Sequence, residues 1–252
     1  FLNFALFSGA SFQTTNPPLI NTAWNLDPAG WKSKAEDLWK AIEDIGTPSL
    51  SPSERKVSTI TMAIVEENCR RVRDLYLFSE GRVGFICYQV NPKHNNDTQK
   101  MVDEIRFVHK AMTHRLGHGF EPNISFKVPG TLAALEAAKI LGKEGISLTI
   151  TLCFSVFQAL AFAKVFATST AAVNSVVIMN GRLAFPVRDH LLANFADQKD
   201  TLKESSKYIG VDVTRHLYEH LYKTVSEGGL GLNPKRVRIM NASLRIYGDN
   251  VP

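Results

Sequence analysis

Asn123-Ile124-Ser125-Phe126-Lys127-Val128 is a short apolar run broken by one lysine, with Pro129-Gly130 behind it. Thr131–Leu141 follows, rich in alanine, with Gly142 as its stop. Ile146-Ser147-Leu148-Thr149-Ile150-Thr151-Leu152 alternates apolar residues with small polar ones. Val156–Phe166 returns to a helical pattern, and Ser175–Met179 is a further apolar run. Short runs rich in β-branched residues read as strands and the longer periodic stretches as helices. Helices that return the chain between consecutive strands make parallel βαβ units, so the expected class is α/β.

The same alternation extends outward. Upstream, Phe12–Thr15 is a strand candidate ended by Asn16-Pro17-Pro18. Trp31–Ile45 reads as a helix with Trp31, Ala35, Leu38, Trp39 and Ile42 on one face. After the Gly46–Ser53 loop, Ser53 and Glu54 open a helix carrying Ile60, Ile64, Val65 and Leu75 toward Leu77. Arg82–Gln89 is a strand, Asn91–Asp97 a polar turn and Thr98–Met112 a helix; His114 and His118, beside Gly117 and Gly119, read as loop. Downstream, Val213–Val225 is an amphipathic helix ended by Gly228-Gly229, and Val237–Ala242 a last strand. No Pro/Gly/Ser linker divides the chain, so residues 1–252 are expected to form a single domain. No G-x-G-x-x-G follows a strand, which leaves a dinucleotide fold unsupported. Alternation by itself does not separate a closed barrel from an open doubly wound sheet.

Composition narrows the partners. Of 252 residues, 44% are hydrophobic and 21% charged, ordinary globular usage that excludes disordered and low-complexity classes. The formal charge of +5 is dispersed, with its densest cluster at Lys235-Arg236-Val237-Arg238. A nucleic-acid binder would carry a basic stripe interleaved with aromatics, so no nucleic-acid partner is expected. Gly145–Ala163 carries no charge, but its first half alternates like a strand and Ser155 and Gln158 suit a helix on a soluble core. No membrane partner is expected. Cys69, Cys87 and Cys153 have no metal spacing and read as buried thiols in a reducing compartment. The cytoplasm is the expected location, and a processed organellar chain would look the same. Phe1–Phe12 lacks the basic residues of a signal peptide, and the missing initial Met reads as processing, trimming or an incomplete sequence.

Three sets of residues could carry chemistry. Lys127 sits inside an apolar strand, where desolvation depresses an ammonium pKa and leaves a nucleophilic amine, the environment of a Schiff-base lysine; a lysine snorkelling to solvent from the strand end is the alternative. His216-Leu217-Tyr218-Glu219-His220 matches the H-x-x-E-H zinc motif, but no third ligand follows, and the pair reads as two surface histidines. Arg182 and Arg245 each follow a strand, where α/β proteins place ligands and where a guanidinium suits a phosphate.

Together these residues resemble the transaldolase family. Thr14-Thr15-Asn16-Pro17-Pro18-Leu19-Ile20 is similar to its T-T-N-P-S-L-I, and Lys127-Val128-Pro129-Gly130-Thr131 to the K-I-P-S-T that carries its Schiff-base lysine. Gly145-Ile146 through Thr151-Leu152, Phe154-Ser155 and Gln158-Ala159 follow its G-I-x-x-N-x-T-L-x-F-S-x-x-Q-A. Gly181-Arg182 matches V-G-R, Ala242-Ser243-Leu244-Arg245 matches A-S-F-R, and Gly81-Arg82-Val83 opens the third-strand block. The blocks occur in family order from about Gly9 to Tyr247. The wider branch includes the fructose-6-phosphate aldolases. The resemblance implies a (β/α)8 TIM barrel, incomplete because first and last strands are not evident, and class I aldol chemistry with no metal and no cofactor. It implies sugar phosphate substrates and a place in carbohydrate metabolism, in the pentose phosphate pathway. Lys127 would attack a ketose-phosphate carbonyl, and a dihydroxyacetone unit would pass to an aldose phosphate or be released. Thr151 would share the catalysis, and Thr15, Asn16 and Thr131 would contact substrate. Arg182, Ser243 and Arg245 would bind the phosphate.

The departures from the family are specific. Its first-strand Asp, which moves a proton during bond cleavage, has no counterpart here. Its third-strand Glu or Gln, used with Thr to activate water, falls on Ile86 by spacing, and Gln89 stands an odd number of residues away. Thr149 replaces its Asn, Val177-Ile178-Met179 replaces its S-P-F, and Leu132-Ala133-Ala134 replaces its W-E-G. An open barrel exposes sheet edges, so an incomplete sequence, or a homo-oligomer or larger assembly that closes the gap, is expected. The rival reading is a catalytically inactive barrel kept as a structural or sugar-phosphate-binding subunit.

Overall fold

The computed structural model describes residues 9–117 and 120–242. Six strands alternate with helices along the chain: β1 (Phe12–Gln13), β2 (Phe85–Gln89), β3 (Ile124–Pro129), β4 (Leu148–Cys153), β5 (Asn174–Ile178) and β6 (Val237–Asn241). Two compact units result. One is built on the residues up to Thr149 together with Ser169–Val173; the other is built on Ile150–Thr168 and the residues from Asn174 onward.

In the first unit the strands stand in chain order, β1 beside β2, β2 beside β3 and β3 beside the start of β4. Phe12 pairs in parallel register with Phe85, Ile86 with Ile124, and Gln89 with Lys127. Helices α1 (Pro17–Leu26) and α2 (Pro28–Ile42) start the same way. An Asx side chain caps each, Asn16 accepting from Leu19 N and Asp27 from Gly30 N, and proline takes the first helical position. Proline there loses nothing, because that N–H has no intrahelical partner. Pro17-Pro18 therefore opens a helix that the sequence reading left out.

Ser51 and Glu54 form a reciprocal capping box, so α3 (Pro52–Arg71) begins ahead of the expected Ser53. It ends at Val72 rather than running on to Leu77, and α4 (Arg73–Phe78) is a separate turn on which Leu75 is exposed. α5 (Thr98–Leu116) continues past Met112, which corrects the loop reading of His114; His118 lies outside the described residues. Gly142 does not stop α6 (Leu132–Lys143) but lies inside it, where a Cβ would sit 3.3 Å from Ser169 Oγ. The turn is made by Gly145 at φ +77°.

The pleat of this sheet divides its side chains. Ile86, Tyr88, Ile124 and Phe126 face the helices, where Tyr88 bonds Glu104 of α5 and its ring lies 5.8 Å from that of Phe126. Alternation puts Cys87, Gln89, Ser125 and Lys127 on the opposite face.

In the second unit the rest of β4, then β5 and β6, stand in chain order, with Asn174 opposite Val237 through to Ile178 opposite Asn241. α7 (Val156–Ala167) follows β4, and α8 (Asn180–Asn194), α9 (Lys199–Ser206) and α10 (Ile209–Tyr222) lie between β5 and β6. Pro186 inside α8 obscures that helix in the sequence. Gly210 lets α10 meet α8 closely, since a Cβ there would overlap Asn180. α10 buries Leu217 and Leu221 and ends at Tyr222, whose hydroxyl bonds Val237 O. Val225, the expected last residue of this helix, sits past its end and is exposed. No helix among the described residues is long and apolar enough to cross a membrane; Gly145–Ala163 holds β4 and the start of α7.

Candidate active site

Lys127 is the third residue from the end of β3, half-buried, with Nζ donating to Thr15 O at 3.1 Å. Burial pushes its pKa below the ordinary lysine value of 10.5. The nearby Cys87 thiol supplies no counter-charge, because burial pushes it up to about 12. Among the described residues no carboxylate pairs with Lys127. Below it on the same face, Ser125 Oγ and Thr149 Oγ1 are 2.7 Å apart, and Cys87 Sγ reaches Thr149 Oγ1 at 3.6 Å. Small polar side chains thus line the strand face leading to the amine.

The strand ends of this unit define what its other expected residues can do. Thr15 is buried and its hydroxyl is committed to Cys87 O at 2.8 Å, so it meets Lys127 through its carbonyl. Asn16 Oδ1 caps α1. Thr131 caps α6 by accepting from Ala134 N, and donates to Asn95 O at 2.8 Å. Asn95 belongs to the turn after β2, which is clasped by a buried cluster the sequence reading did not find. His94 Nδ1 meets Glu104 Oε2 at 2.8 Å and its Nε2 meets Glu54 Oε1 at 3.1 Å. Glu104 also accepts from Tyr88 OH, Ser58 Oγ and Asn91 N. Glu104 raises the His94 pKa above 6.5. The only signal in the sequence was a polar turn followed by a helix.

In the second unit Thr151 is buried on β4, its hydroxyl 3.9 Å from Met179 Sδ. Arg182 is exposed in the first turn of α8, just past β5. Ser243 and Arg245 lie outside the described residues. His216, Glu219 and His220 are exposed on α10, and no cluster of three or more His, Cys, Asp or Glu side chains able to share a metal occurs among the described residues.

Residues 8–248 match the model of the family described as Transaldolase/Fructose-6-phosphate aldolase. The chain belongs to this family. A Neisseria gonorrhoeae protein named transaldolase is 30% identical over 175 residues, 68% of this chain and 45% of that protein. A transaldolase of Thiobacillus denitrificans is 28% identical over 151 residues, 60% of this chain and 38% of that one. One of Mycolicibacterium smegmatis is 27% identical over 143 residues, 57% and 34% respectively. The matched stretches therefore span less than half the length of these relatives. The parallel strand–helix order of each unit is that of an incomplete (β/α)8 barrel, the fold of the transaldolase family.

Two β2 residues bear on the family's third-strand position. Counting from Gly81-Arg82-Val83 selects Ile86, but Ile86 is 1% exposed on the helix side of β2. Gln89 shares the Lys127 face, stands opposite it in register and donates from Nε2 to Lys127 O at 3.0 Å. Gly84, at φ +81°, stands just before β2, and a Cβ there would come within 2.7 Å of Tyr76 N. Within β2, Ile86 and Gln89 are three residues apart and take opposite faces.

Proposed function

We propose that this chain performs class I aldol chemistry on a ketose phosphate, cleaving or transferring a dihydroxyacetone unit through a Schiff base at Lys127. The observation that carries this reading is a strand lysine, half-buried, held by a backbone carbonyl and lacking a carboxylate partner among the described residues. Such an amine loses its proton more readily than a surface lysine and stays nucleophilic.

In this mechanism the free amine of Lys127 adds to the ketose carbonyl and water leaves, giving a protonated imine. The bond between the third and fourth carbons breaks, its electron pair moves toward the imine nitrogen, and the fourth-carbon hydroxyl passes its proton to solvent water as the aldose phosphate departs. The resulting enamine attacks an acceptor aldehyde, or is protonated; water then adds, and the product leaves with the amine restored. Thr151 holds the water, and Asn16 Nδ2 and Thr131 contact substrate. Arg182, with Ser243 and Arg245, receives the phosphate. Gln89 on the Lys127 face supports this active reading over the inactive-barrel rival, which rested partly on Ile86.

The test is turnover of fructose 6-phosphate, alone and with an aldose phosphate acceptor, by the wild-type chain and Lys127→Ala. Turnover by the first and none by the second is expected. Saturable binding by a folded wild-type chain without turnover would favour the rival.

A further inference from the structure

Leu152, the residue after Thr151, has φ +61°. Leucine has no short polar side chain to compensate a left-handed backbone, so the surrounding structure must hold it there. Gln158, in the first turn of α7, does so with both ends of its amide. Its Nε2 donates to Leu152 O at 3.1 Å, and its Oε1 accepts from Phe154 N at 2.8 Å.

This is more than a helix cap. Ser155 already caps α7, its hydroxyl accepting from Gln158 N at 3.2 Å. In a capping box the third residue reaches back to the cap residue's own N–H. Gln158 reaches further back and grips the two peptide groups that flank Cys153. Cys153 O in turn accepts from Met179 N at 2.9 Å, and Met179 Sδ is the partner of the Thr151 hydroxyl. Thr151 and Cys153 thus both meet Met179, and Gln158 holds the backbone on either side of Cys153.

We propose that Gln158 is a positioning residue: it locks the left-handed turn at Leu152 and thereby fixes the direction of the Thr151 hydroxyl. The inference rests on the role proposed above for Thr151. It makes a demand that capping does not. A cap needs only an acceptor in the first helical turn, and glutamate serves there, with its charge favoured by the helix N-terminus. The lock needs a donor to Leu152 O as well, and an ionised glutamate has none.

Gln158→Glu is the discriminating variant, compared with wild type and with Gln158→Glu/Leu152→Gly. Steady-state turnover of fructose 6-phosphate, thermal unfolding and borohydride trapping of the Lys127 adduct are measured on each. Gln158→Glu is expected to keep the wild-type melting temperature and adduct yield while kcat falls roughly tenfold to a hundredfold at little changed KM. Glycine adopts a positive φ without steric cost, so the double variant is expected to recover most of kcat. Unchanged kcat in Gln158→Glu overturns the proposal, as does a kcat loss that tracks a lower melting temperature. Absence of any wild-type adduct overturns the Schiff-base reading, and the proposal with it, whereas a normal wild-type adduct with an indifferent Gln158→Glu overturns the proposal alone.

Discussion

β3 runs extended from Ile124 to Pro129 and hands over to α6 through the cap Thr131, whereas β4 turns left-handed at Leu152 before handing over to α7 through the cap Ser155. Both strands place a candidate catalytic residue near their carboxyl ends, Lys127 on one and Thr151 on the other. The extended strand needs only burial to prepare its residue, because desolvation lowers the pKa of an amine, while the carbonyl of Thr15 fixes its position. The broken strand has to aim a hydroxyl, and direction requires contacts that span the break. The two residues should accordingly respond to different kinds of damage.

The largest effect expected is at the extended strand. Lys127→Ala should abolish both turnover and borohydride-trapped adduct while leaving the melting temperature equal or higher, since a half-buried ammonium is removed; calorimetry and peptide mass spectrometry check both. At the broken strand, Thr151→Val should lower kcat by about a hundredfold, within the range for loss of a proton-handling or water-positioning group, and leave the adduct intact. An adduct lost together with turnover would mean that the two strands do not divide the chemistry in this way.

The caps sharpen the contrast at smaller scale. Thr131→Ala and Ser155→Ala should each cost about 1 kcal/mol in denaturant unfolding. Thr131→Ala should cost the more of the two, because Thr131 also donates to Asn95 O. The smallest effect is in pH dependence. Glu104 holds the folded-state pKa of His94 above its ordinary 6.5. The protonated form is thus favoured by folding, and its contribution is fully present below pH about 6.5 and lost as pH rises through the raised value. Stability measured across that window should decline more in wild type than in His94→Gln.

Lys127 was legible in the sequence because a charged residue inside an apolar strand is conspicuous, and β3, β4 and α7 because their periodicities are clean. α1 was hidden because Pro17-Pro18 reads as a stop, although proline in the first helical turn is harmless, and α8 because Pro186 lies inside it. That Gln89 faces away from Ile86 was legible from their odd spacing, whereas its sharing a face with Lys127 emerged from the register of β2 on β3. The turn at Leu152 carries no sequence signal, since leucine is not a residue that marks positive φ. Its only trace is Gln158, whose spacing from Ser155 reads as an ordinary cap. Local pattern conveyed the regular elements, and the interruptions that aim side chains emerged only from the backbone conformation and the contacts that hold it.

The most direct measurement is borohydride trapping of the wild-type chain with fructose 6-phosphate across a pH series, followed by peptide mass spectrometry. The account predicts one reduced adduct, on Lys127, forming faster as pH rises with a midpoint below the 10.5 of an ordinary lysine. No adduct on the folded chain, or labelling shared among surface lysines with an ordinary midpoint, would contradict it.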